Sequence, residues 1–582
     1  NNILCTLLKL ISSFLFSPSE PPRYHFDRPE NYISMYHQEG SDTLYVGGRA
    51  MIYVLNFTDR GVDYQQMECD NFITVLQKVN DTFIACGTNA GSPRCWMLVN
   101  ISRQVSLTSP SDISPPYPSQ KFINLPADGS LYSAMSSVGG HAGSIRRTFG
   151  SQKLLKTENV WLLNPQFAGA AIIPSSQKLK EEIYFFFTEF NKTARVDEEP
   201  YRARIGRICT VDEGGIKALL TDSWTTFMKA RVMCGAGNTQ QQYNNMKQAV
   251  VLTAQDKRAG VMYGLFSNAW GRTVICAYSI EDIDQAFSTS KLKGYSSPFI
   301  GSRPGMCARK SPSAAESQNN IKNLGVIRYH PEIEDVIRPV GVAPLDLPTD
   351  DQITHTVADI VLAVNDEHYS VLYLGTEQGK VLKVLHTRDE VFIISQYSLF
   401  HNEGPVLNMA IDSQKGHLYV GTAMEVQRLP LADCNRYGDT CRECILSRDP
   451  YCGWDKARRK CIAIPPGYNL RRTSPREVVV KGRNTTVFLP CPVHSFHATY
   501  RWEKDNCIMN YPCLFSGDFC VLGPVGDTPL KEGVFRCMAT EDGFKVEVIS
   551  FRLVNDGRLL SASLASTLGL SVLLAMATLW LH

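Results

Sequence analysis

Leu44-Tyr45-Val46-Gly47-Gly48 is a short β-rich run that ends in glycine, and a second apolar run, Ile52–Leu55, follows it. The same pair of runs recurs at 372–384 and 418–429, and a weaker copy lies at 83–99. β-Branched and aromatic residues favour strands, and glycine permits a tight turn between them, so each copy predicts a hairpin. Small sheets that cannot bury both faces alone must stack on one another. This favours a propeller with irregular insertions over a pair of unrelated β-sandwiches, and the long first region is predicted to be mainly β.

Further motifs run in order through this region. They are Cys86-Gly-Thr-Asn-Ala90, Pro93-x-Cys95-Trp96, Ile183–Phe187, Arg204-Ile-Gly-Arg-Ile-Cys209, Trp224–Arg231, Cys234, Tyr263–Asn268, Cys276-Ala-Tyr278 and Arg303-Pro-Gly305-x-Cys307. In this order they resemble the sema domain of the semaphorin family, which we assign to residues 18–433. The resemblance implies a seven-bladed β-propeller that forms homodimers and presents a surface to plexin receptors. It also implies three disulfides: Cys86–Cys95, Cys209–Cys307 and Cys234–Cys276.

A cysteine-rich module follows, since ten of the 18 cysteines lie between Cys434 and Cys537. The segment 434–461 is too short to fold by apolar burial alone, so crosslinks must stabilise it. A zinc site at the C-x-x-C pair Cys441 and Cys444 is the alternative to disulfides. The string Arg448-Asp-Pro-Tyr-Cys-Gly-Trp-Asp455 resembles the plexin-semaphorin-integrin (PSI) module. The resemblance implies the disulfides Cys434–Cys452 and Cys444–Cys461, and residues 462–477 are expected to be a linker.

The segment 478–554 places Cys491, Trp502 and Cys537 among alternating apolar residues. Two cysteines on opposing sheets, packed against one tryptophan, are typical of an immunoglobulin sandwich, so we predict the disulfide Cys491–Cys537. Phe535 stands where such domains often have a tyrosine, and the hydroxyl bond of that tyrosine is lost here. We expect two of the remaining cysteines of this domain to pair locally and the third to bond Cys441. The partners left open are those of Cys69, Cys441, Cys507, Cys513 and Cys520.

Both ends of the chain carry export features. Residues 3–16 are apolar and precede a polar, proline-rich segment, which predicts a signal peptide over 1–17. Residues 564–581 form an apolar run of bilayer length with no basic segment after it. Together with small residues and a short spacer before it, this run predicts a GPI-attachment signal over 555–582 rather than a transmembrane helix. Asn555 is the preferred attachment residue, and Ser561 is the second choice.

Composition and motifs argue against several classes of function. The formal net charge of +2 argues against nucleic-acid binding. No hydrolase, metalloprotease, P-loop or dinucleotide fingerprint occurs, so we expect no enzyme activity, no cofactor and no metal site. His494 and His497 are close in sequence, but a solvated loop explains them better than a metal pair. Five N-x-[ST] sequons agree with secretion, and the predicted glycosylation sites are Asn56, Asn80, Asn100, Asn191 and Asn484.

The PSI module, the single immunoglobulin domain and the anchor signal together resemble the GPI-anchored class of semaphorins. This resemblance implies a ligand for C-type plexins on the outer face of the plasma membrane, acting in axon growth, cell migration and immune-cell activation. It also implies binding to β1-type integrins through an Arg-Gly-Asp loop. The corresponding stretch, 209–215, keeps only Asp212, so integrin binding by that route is not expected. The alternatives are a plexin-like receptor ectodomain, which a single PSI module disfavours, and an adhesion glycoprotein.

Overall fold

The structure is a computed structural model in which the chain divides into two compact units, 1–465 and 466–582. The described residues are 22–58, 61–66, 71–99, 103–106, 110–137, 142–174, 181–192, 200–216, 219–235, 243–253, 260–299, 302–307, 314–341, 343–345, 347, 349–365, 367–387, 390–399, 404–455, 458–464, 478–482, 487–493, 498–505, 507–508, 513–516, 519–524, 530–541 and 544–555. Strands dominate both units, which confirms the mainly β prediction.

The first unit contains seven small sheets, or blades, whose strands follow one another along the chain from the inside of the ring outward. The first strand of the chain is β1 (Arg23–His25). Blade 1 consists of β2 (Ser34–His37), β3 (Thr43–Gly47), β4 (Met51–Asn56) and β5 (Gly61–Gln66), and blade 2 of β6 (Ile73–Val79), β7 (Thr82–Gly87), β8 (Arg94–Val99) and β9 (Arg103–Ser106). Blade 3 consists of β10 (Phe122–Ala127), β11 (Ser130–Met135), β12 (Ser144–Gly150) and β13 (Leu155–Lys156). Blade 4 consists of β14 (Gln166–Ile173), β15 (Glu182–Phe190), β16 (Tyr201–Cys209) and β17 (Met228–Val232). Blade 5 consists of β18 (Asn245–Leu252), β19 (Val261–Ser267) and β20 (Thr273–Ser279).

An insertion separates blade 5 from blade 6 and contains α1 (Ile280–Thr289), α2 (Ala314–Tyr329) and β21 (Glu332–Ile337). Blade 6 consists of β22 (Ile353–Leu362), β23 (His368–Thr376), β24 (Lys380–His386) and β25 (Val391–Ser398). Blade 7 contains β26 (Asn408–Asp412), β27 (His417–Gly421) and β28 (Glu425–Pro430). Blade 7 is completed by β1, which pairs antiparallel with β28. Each inner strand contacts the inner strand of the next blade, and β26 contacts β2, so the seven blades form a closed ring. The predicted seven-bladed propeller is therefore confirmed.

The antiparallel order fixes which loops share a face of the ring. All seven inner strands begin at one face, which we call the start face. The links between blades and the turns from second to third strands also lie there, because successive strands of a blade alternate in direction. The remaining turns lie on the opposite face, which we call the far face. Four inner strands, β6, β14, β18 and β22, carry a bulge at their second or third residue, close to the start face.

The repeated glycines have a different role from the predicted one. The repeated runs are indeed hairpins, formed by the second and third strands of blades 1, 2, 6 and 7. Gly47, Gly87 and Gly421 end the second strands of their blades, and Gly375 lies one residue before the end of β23; none of the four has a positive φ, so a tight turn does not require them. A Cβ on Gly47 would lie 2.6 Å from the side chain of Ile73 in blade 2, and one on Gly375 would lie 2.7 Å from Val406. Glycine is needed because the neighbouring segment packs against this backbone.

The insertion returns to the ring through β21, which pairs in parallel with β17 at the outer edge of blade 4. Buried charges hold this pairing. Arg204 bonds Glu189 at 2.8 Å and Glu332 of β21 at 2.9 Å, while Lys229 bonds Glu189 at 2.8 Å. Arg207 bonds Glu182 at 3.1 Å. The two arginines of the Arg-Ile-Gly-Arg-Ile-Cys motif therefore have structural roles, because each neutralises a buried carboxylate.

The PSI module lies in the first unit and contains α3 (Cys441–Leu446), β29 (Cys452–Asp455) and β30 (Lys460–Ala463). It joins the propeller at the far face, where β28 ends, and packs on blade 6. Lys383 of β24 donates to Asp449 of the module at 2.5 Å, and both side chains are fully buried. Tyr451 donates to Asp359 of β22 at 2.6 Å. These bonds fix the module against the propeller.

The second unit is a two-sheet sandwich. Its strands are β31 (Val478–Gly482), β32 (Leu489–Pro492), β33 (Thr499–Lys504), β34 (Cys507–Ile508), β35 (Leu514–Ser516), β36 (Phe519–Leu522), β37 (Gly533–Glu541) and β38 (Phe544–Asn555). The disulfide Cys491–Cys537 joins the two sheets beside Trp502, which is fully buried. Phe535 is fully buried as well, so it fills with apolar volume the position at which a tyrosine was expected. The predicted immunoglobulin fold is confirmed.

Candidate docking surface

Four exposed aromatic side chains lie on the start face along consecutive blades. Tyr117 lies in the link from blade 2 to blade 3, Phe190 and Tyr201 flank the second-to-third-strand turn of blade 4, and Trp270 lies in the same turn of blade 5. Phe190 and Tyr201 pack edge to face with their ring centroids 6.2 Å apart. We call these four residues the aromatic arc. Exposed aromatic side chains are enriched where proteins bind one another.

Trp270 is the most prominent residue of the aromatic arc, because 93% of its surface is exposed. Its turn is held by the side chain of Asn268, whose Oδ1 accepts bonds from the backbone N–H of Trp270 and of Arg272, each at 3.0 Å. Gly271 adopts φ +82°, which favours glycine, and its N–H donates to the carbonyl of Asn268 at 3.2 Å. The backbone is therefore ordered before any partner binds, and this lowers the entropy cost of burying the indole.

The far face differs because the PSI module occupies part of it and two predicted glycosylation sites lie there. Asn56 ends β4, the third strand of blade 1, and Asn80 lies in the first turn of blade 2, where its side chain is exposed. Asn191, by contrast, lies on the start face and is 6% exposed, which makes its amide a poor acceptor for a glycan. Asn100 and Asn484 lie outside the described residues. Glycosylation of all five remains a prediction.

Asp212, the residue retained from the expected integrin loop, is 3% exposed. Its carboxylate accepts bonds from the backbone N–H of Gly214, Thr225 and Thr226 and from both threonine hydroxyls, at 2.7–2.9 Å. An integrin would have to ligate its metal ion with a free aspartate at a loop tip. Because Asp212 is buried and its oxygens are already used within the loop, this segment offers no such ligand.

All six disulfides expected from the sequence are present. They are Cys86–Cys95, Cys209–Cys307, Cys234–Cys276, Cys434–Cys452, Cys444–Cys461 and Cys491–Cys537. A local pair within the last domain was also expected, and the structure identifies it as Cys513–Cys520. The bond from Cys441 to the third cysteine of that domain stays a prediction. Cys69 lies outside the described residues.

One group of possible metal ligands comes together within the described stretches, namely Glu182, Cys209 and Cys307. The two cysteines form a disulfide, and Glu182 is bonded to Arg207, so the group has no thiolate to offer an ion. In the same stretches, no helix combines the length and the apolar character needed to cross a membrane. The predicted signal peptide, His494, His497 and the apolar run 564–581 lie outside the described residues.

Comparison with known proteins decides the family. Residues 246–413 match the model of the Sema domain, 433–477 the Plexin repeat, and 473–561 the immunoglobulin-like domain of semaphorins 3, 4 and 7A. Semaphorin-7A of Mus musculus is 31% identical over 93% of this chain and 86% of its own length, and the Homo sapiens protein is 30% identical over 96% and 88%. The chain belongs to the semaphorin family.

Solved structures share the fold of this semaphorin. Drosophila Semaphorin 2a superposes with a TM-score of 0.63 at 21% identity and covers 94% of this chain and 100% of its own. A chain from the complex of Drosophila Plexin A with Semaphorin 1b gives a TM-score of 0.60 at 22% identity, covering 78% and 93%. The PSI and immunoglobulin matches also extend into 462–477 and past residue 554, beyond the bounds expected from the sequence.

The aromatic arc was missed by sequence reasoning. Its residues come from four separate segments, which only the ring brings to one face. The signal closest to a local one was Asn268-Ala-Trp-Gly271, a turn sequence with an exposed tryptophan at its tip. The family motif Tyr263–Asn268 includes the first residue of this turn but not the tryptophan.

Proposed function

We propose that this semaphorin is a signalling ligand, not an enzyme, and that it docks onto a plexin receptor through the aromatic arc. The observation that carries the proposal is the exposure of four aromatic side chains along consecutive blades of the start face. A complex of Drosophila Plexin A with Semaphorin 1b is among the structures with the same fold, which supports a plexin as the partner. The PSI module does not cover this face, because it joins the ring at the far face.

Trp270 is expected to dominate the binding energy. A tryptophan that is almost fully exposed in the free protein loses the most apolar surface on docking, and such residues contribute about 2 kcal/mol or more at interfaces. The predicted glycans at Asn56 and Asn80 are compatible with this mode of docking, since both lie at the far face. A partner at the far face would instead have to share that face with the PSI module and the predicted glycans.

The test is binding of soluble plexin ectodomains to cells that display the full chain. Trp270→Ala should weaken binding about thirtyfold, which corresponds to about 2 kcal/mol. Leu154→Ala is the matched control, because Leu154 is an exposed apolar residue of the far face. Expression of both variants at the surface excludes misfolding as the cause. Equal binding by the two variants would contradict docking at the aromatic arc.

The choice of plexin follows from the relatives. We propose a C-type plexin, which is what resemblance to the GPI-anchored class implies, and the similarity of most of this chain to Semaphorin-7A of two mammals supports that choice. The same cells should be tested with a panel of plexin ectodomains. Binding to a plexin of another type, with none to the C type, would contradict this assignment but not the plexin proposal itself.

The anchor belongs to the same proposal. A GPI lipid, attached as the hydrophobic tail of the signal at 555–582 is removed, would hold the protein on the outer face of the plasma membrane. Asn555 is the last residue of β38 and pairs with Gly482, so attachment there would put the lipid directly after the sandwich. Phosphatidylinositol-specific phospholipase C should release the protein from intact cells. Complete retention would contradict the lipid anchor, and loss of release in Asn555→Trp or in Ser561→Trp would identify the attachment residue.

The proposal includes a homodimer and excludes integrin binding at the Asp212 loop. We propose that the protein forms a homodimer, so its molar mass by light scattering should be twice that of one chain. A monomer at micromolar concentration would contradict this.

β1-type integrin binding is not proposed at the Asp212 loop, because its carboxylate is buried and fully bonded. Adhesion of integrin-bearing cells that an Arg-Gly-Asp peptide blocks would contradict this exclusion. Roles in axon growth, migration and immune-cell activation rest on the plexin assignment.

A further inference from the structure

The smaller sheet of the second unit has an outer face without charge. This sheet consists of β32, β36 and β35, and none of these three strands contains a charged residue. Cys491 and Cys520 are paired across β32 and β36 and are fully buried, so the alternate positions of both strands face outward. In register, Pro490, Val521 and Leu514 form one outward row, and Pro492, Phe519 and Ser516 form the next.

Large apolar side chains on this face are open to solvent. Phe488 directly precedes β32 and lies over Gly523, where an added Cβ would be 2.8 Å from its ring. Phe488, Leu514 and Phe519 are 58%, 56% and 45% exposed. Neighbouring rows of one sheet bring them together into a continuous surface. We call the five residues Phe488, Pro490, Leu514, Phe519 and Val521 the apolar face.

The other sheet of the same sandwich has the usual polar exterior. Arg536 lies between two fully buried residues of β37, so it faces outward, and it pairs with Glu547 at 3.5 Å. Lys545 pairs with Glu503 at 3.7 Å. Sandwich strands normally alternate core residues with outward polar residues, and the five-stranded sheet follows this rule. The apolar face does not, and a contiguous exposed apolar patch marks a protein or membrane interaction site.

The apolar face begins at the end of the sandwich where the chain leaves it. Asn555 ends β38 and pairs with Gly482, the last residue of β31. Because β32 begins a few residues after Gly482, Phe488 lies at this same end. Phe519 pairs with Pro492, and the distance along β32 from Phe488 to that pair is about 13 Å. The face therefore extends from the predicted anchor along the side of the sandwich.

The area and chemistry of the apolar face favour a lipid surface over a second copy of the chain. Each half-exposed ring has about 100 Å² still to bury, so the three large side chains offer about 300 Å². A stable protein interface buries about 800 Å² on each partner and contains about ten hydrogen bonds. Within these three strands, which the structure describes completely, Ser516 has the one outward hydroxyl group. A bilayer accepts apolar side chains without hydrogen bonds.

We propose that the apolar face docks on the outer leaflet of the membrane that carries the protein, an inference that rests on the proposed lipid anchor. A patch of this size binds a bilayer weakly and reversibly, so stable contact takes a second signal. The anchor supplies that signal, because a tether to the same bilayer makes docking an intramolecular step. Phe488, Leu514 and Phe519 then enter the boundary between headgroups and acyl chains, about 5–10 Å deep. The ion-paired sheet remains in water.

The experiment uses the full chain reconstituted in phosphatidylcholine vesicles that contain a lipid with a photoactivatable group in its acyl chain. After irradiation, mass spectrometry maps the lipid adducts to peptides. The adducts should concentrate on the peptides that contain Phe488, Leu514 and Phe519. Leu514→Ser combined with Phe519→Ser should lower their yield at least about tenfold, because two of the three large apolar side chains are lost.

The matched control is Leu154→Ser combined with Val160→Ser, which removes two exposed apolar side chains from the propeller. Its adduct yield on the sandwich should equal that of the unaltered chain. All four substituted positions are exposed, so both double variants should keep the melting temperature of the unaltered protein. A lower yield in the first variant is then not a result of misfolding.

The outcomes separate this inference from the proposed anchor. Adducts on the apolar face of a chain that phosphatidylinositol-specific phospholipase C does not release would contradict the lipid anchor and leave the docking intact. Release without adducts on this face, or with equal adducts on the peptide that contains Arg536, would overturn the docking. A serine variant of the face that has half the molar mass in light scattering, with no adducts in the unaltered chain, would identify a second copy as the occupant and overturn it as well.

Discussion

At the scale of single residues, Asp212 shows that a retained acidic residue can be structural. Asp212→Ala leaves three buried backbone N–H groups and two hydroxyls without their acceptor. Each unsatisfied buried donor costs about 1–3 kcal/mol, so we expect unfolding to become easier by at least about 3 kcal/mol. The measurement is the free energy of unfolding by urea. Asp222→Ala is the control, because its side chain is 73% exposed and pairs only loosely with Lys153.

We expect His355 to make the free energy of unfolding depend on pH in the acidic range. Its pKa is about 4 in the folded chain, against 6.5 for the unfolded residue. The unfolded chain therefore binds a proton first, so folding stability falls as the pH drops from 6.5 towards 4 and is unaffected above that window. The loss is at most about 3 kcal/mol. His355→Gln should lose less stability than the unaltered protein between pH 6.5 and 4.5, because it has no imidazole to protonate. Parallel curves for the two proteins would contradict a depressed pKa.

At the scale of elements, Lys383 fixes the PSI module to blade 6. Its Nζ donates to Asp449 and to the carbonyl of Leu431, and it lies 4.5 Å from the ring of Tyr451. Lys383→Met leaves the buried carboxylate of Asp449 unbalanced, which costs about 3–5 kcal/mol. The variant should melt earlier, and proteases should cut the junction between propeller and module faster.

Lys380→Met is the control for this prediction, because Lys380 lies on the same strand and pairs with Asp351 at 3.1 Å while remaining partly exposed. It should cost less than about 1 kcal/mol. Adding Asp449→Asn to Lys383→Met should recover part of the loss, since the unpaired charge is then removed. A double variant as unstable as the sum of the two single variants would show that the pair does not act as a unit.

Some elements of the fold could be predicted from the sequence, and others could not. The recurrent hairpins were predictable, because each lies within a short window and has strong β propensity. The function of their glycines was not, since Gly47 and Gly375 face neighbouring segments that are distant in sequence. The strand β21 was equally hidden. Its charged sequence Glu-Ile-Glu-Asp-Val-Ile gains stability from Arg204, more than a hundred residues earlier, from its parallel pairing with β17, and from the burial of Ile333 and Ile337.

At the scale of the whole molecule, the closed ring brings residues that are distant in sequence to the same face. Tyr117 and Trp270 belong to different blades. The aromatic arc has no sequence pattern, because the spacing of its residues depends on how many residues each blade inserts. The resemblance to a known family supplied the propeller and the disulfide pairs. It did not supply the aromatic arc, which follows from strand order around the ring.

Closure of the ring depends on three residues from the beginning of the described chain. The strand β1 supplies the fourth strand of blade 7, and Tyr24, 2% exposed, packs against Phe26 and Tyr53 with ring centroids 5.7 Å away. Tyr24→Ala should destabilise the propeller by about 3–5 kcal/mol, because a large buried ring is lost where blades 7 and 1 meet. Tyr64→Ala, at an exposed position of blade 1, should change stability little.

Deleting Arg23–His25 should have a larger effect than Tyr24→Ala, since it also leaves the edge of β28 unpaired. An unpaired edge is a template for aggregation, so the deleted chain should elute as aggregates in gel filtration even at temperatures at which Tyr24→Ala is still folded. The two defects are distinguishable, because loss of packing lowers the melting temperature whereas an open edge makes aggregation depend on concentration. A monodisperse deletion variant with an unchanged melting temperature would show that the seven blades hold together without β1.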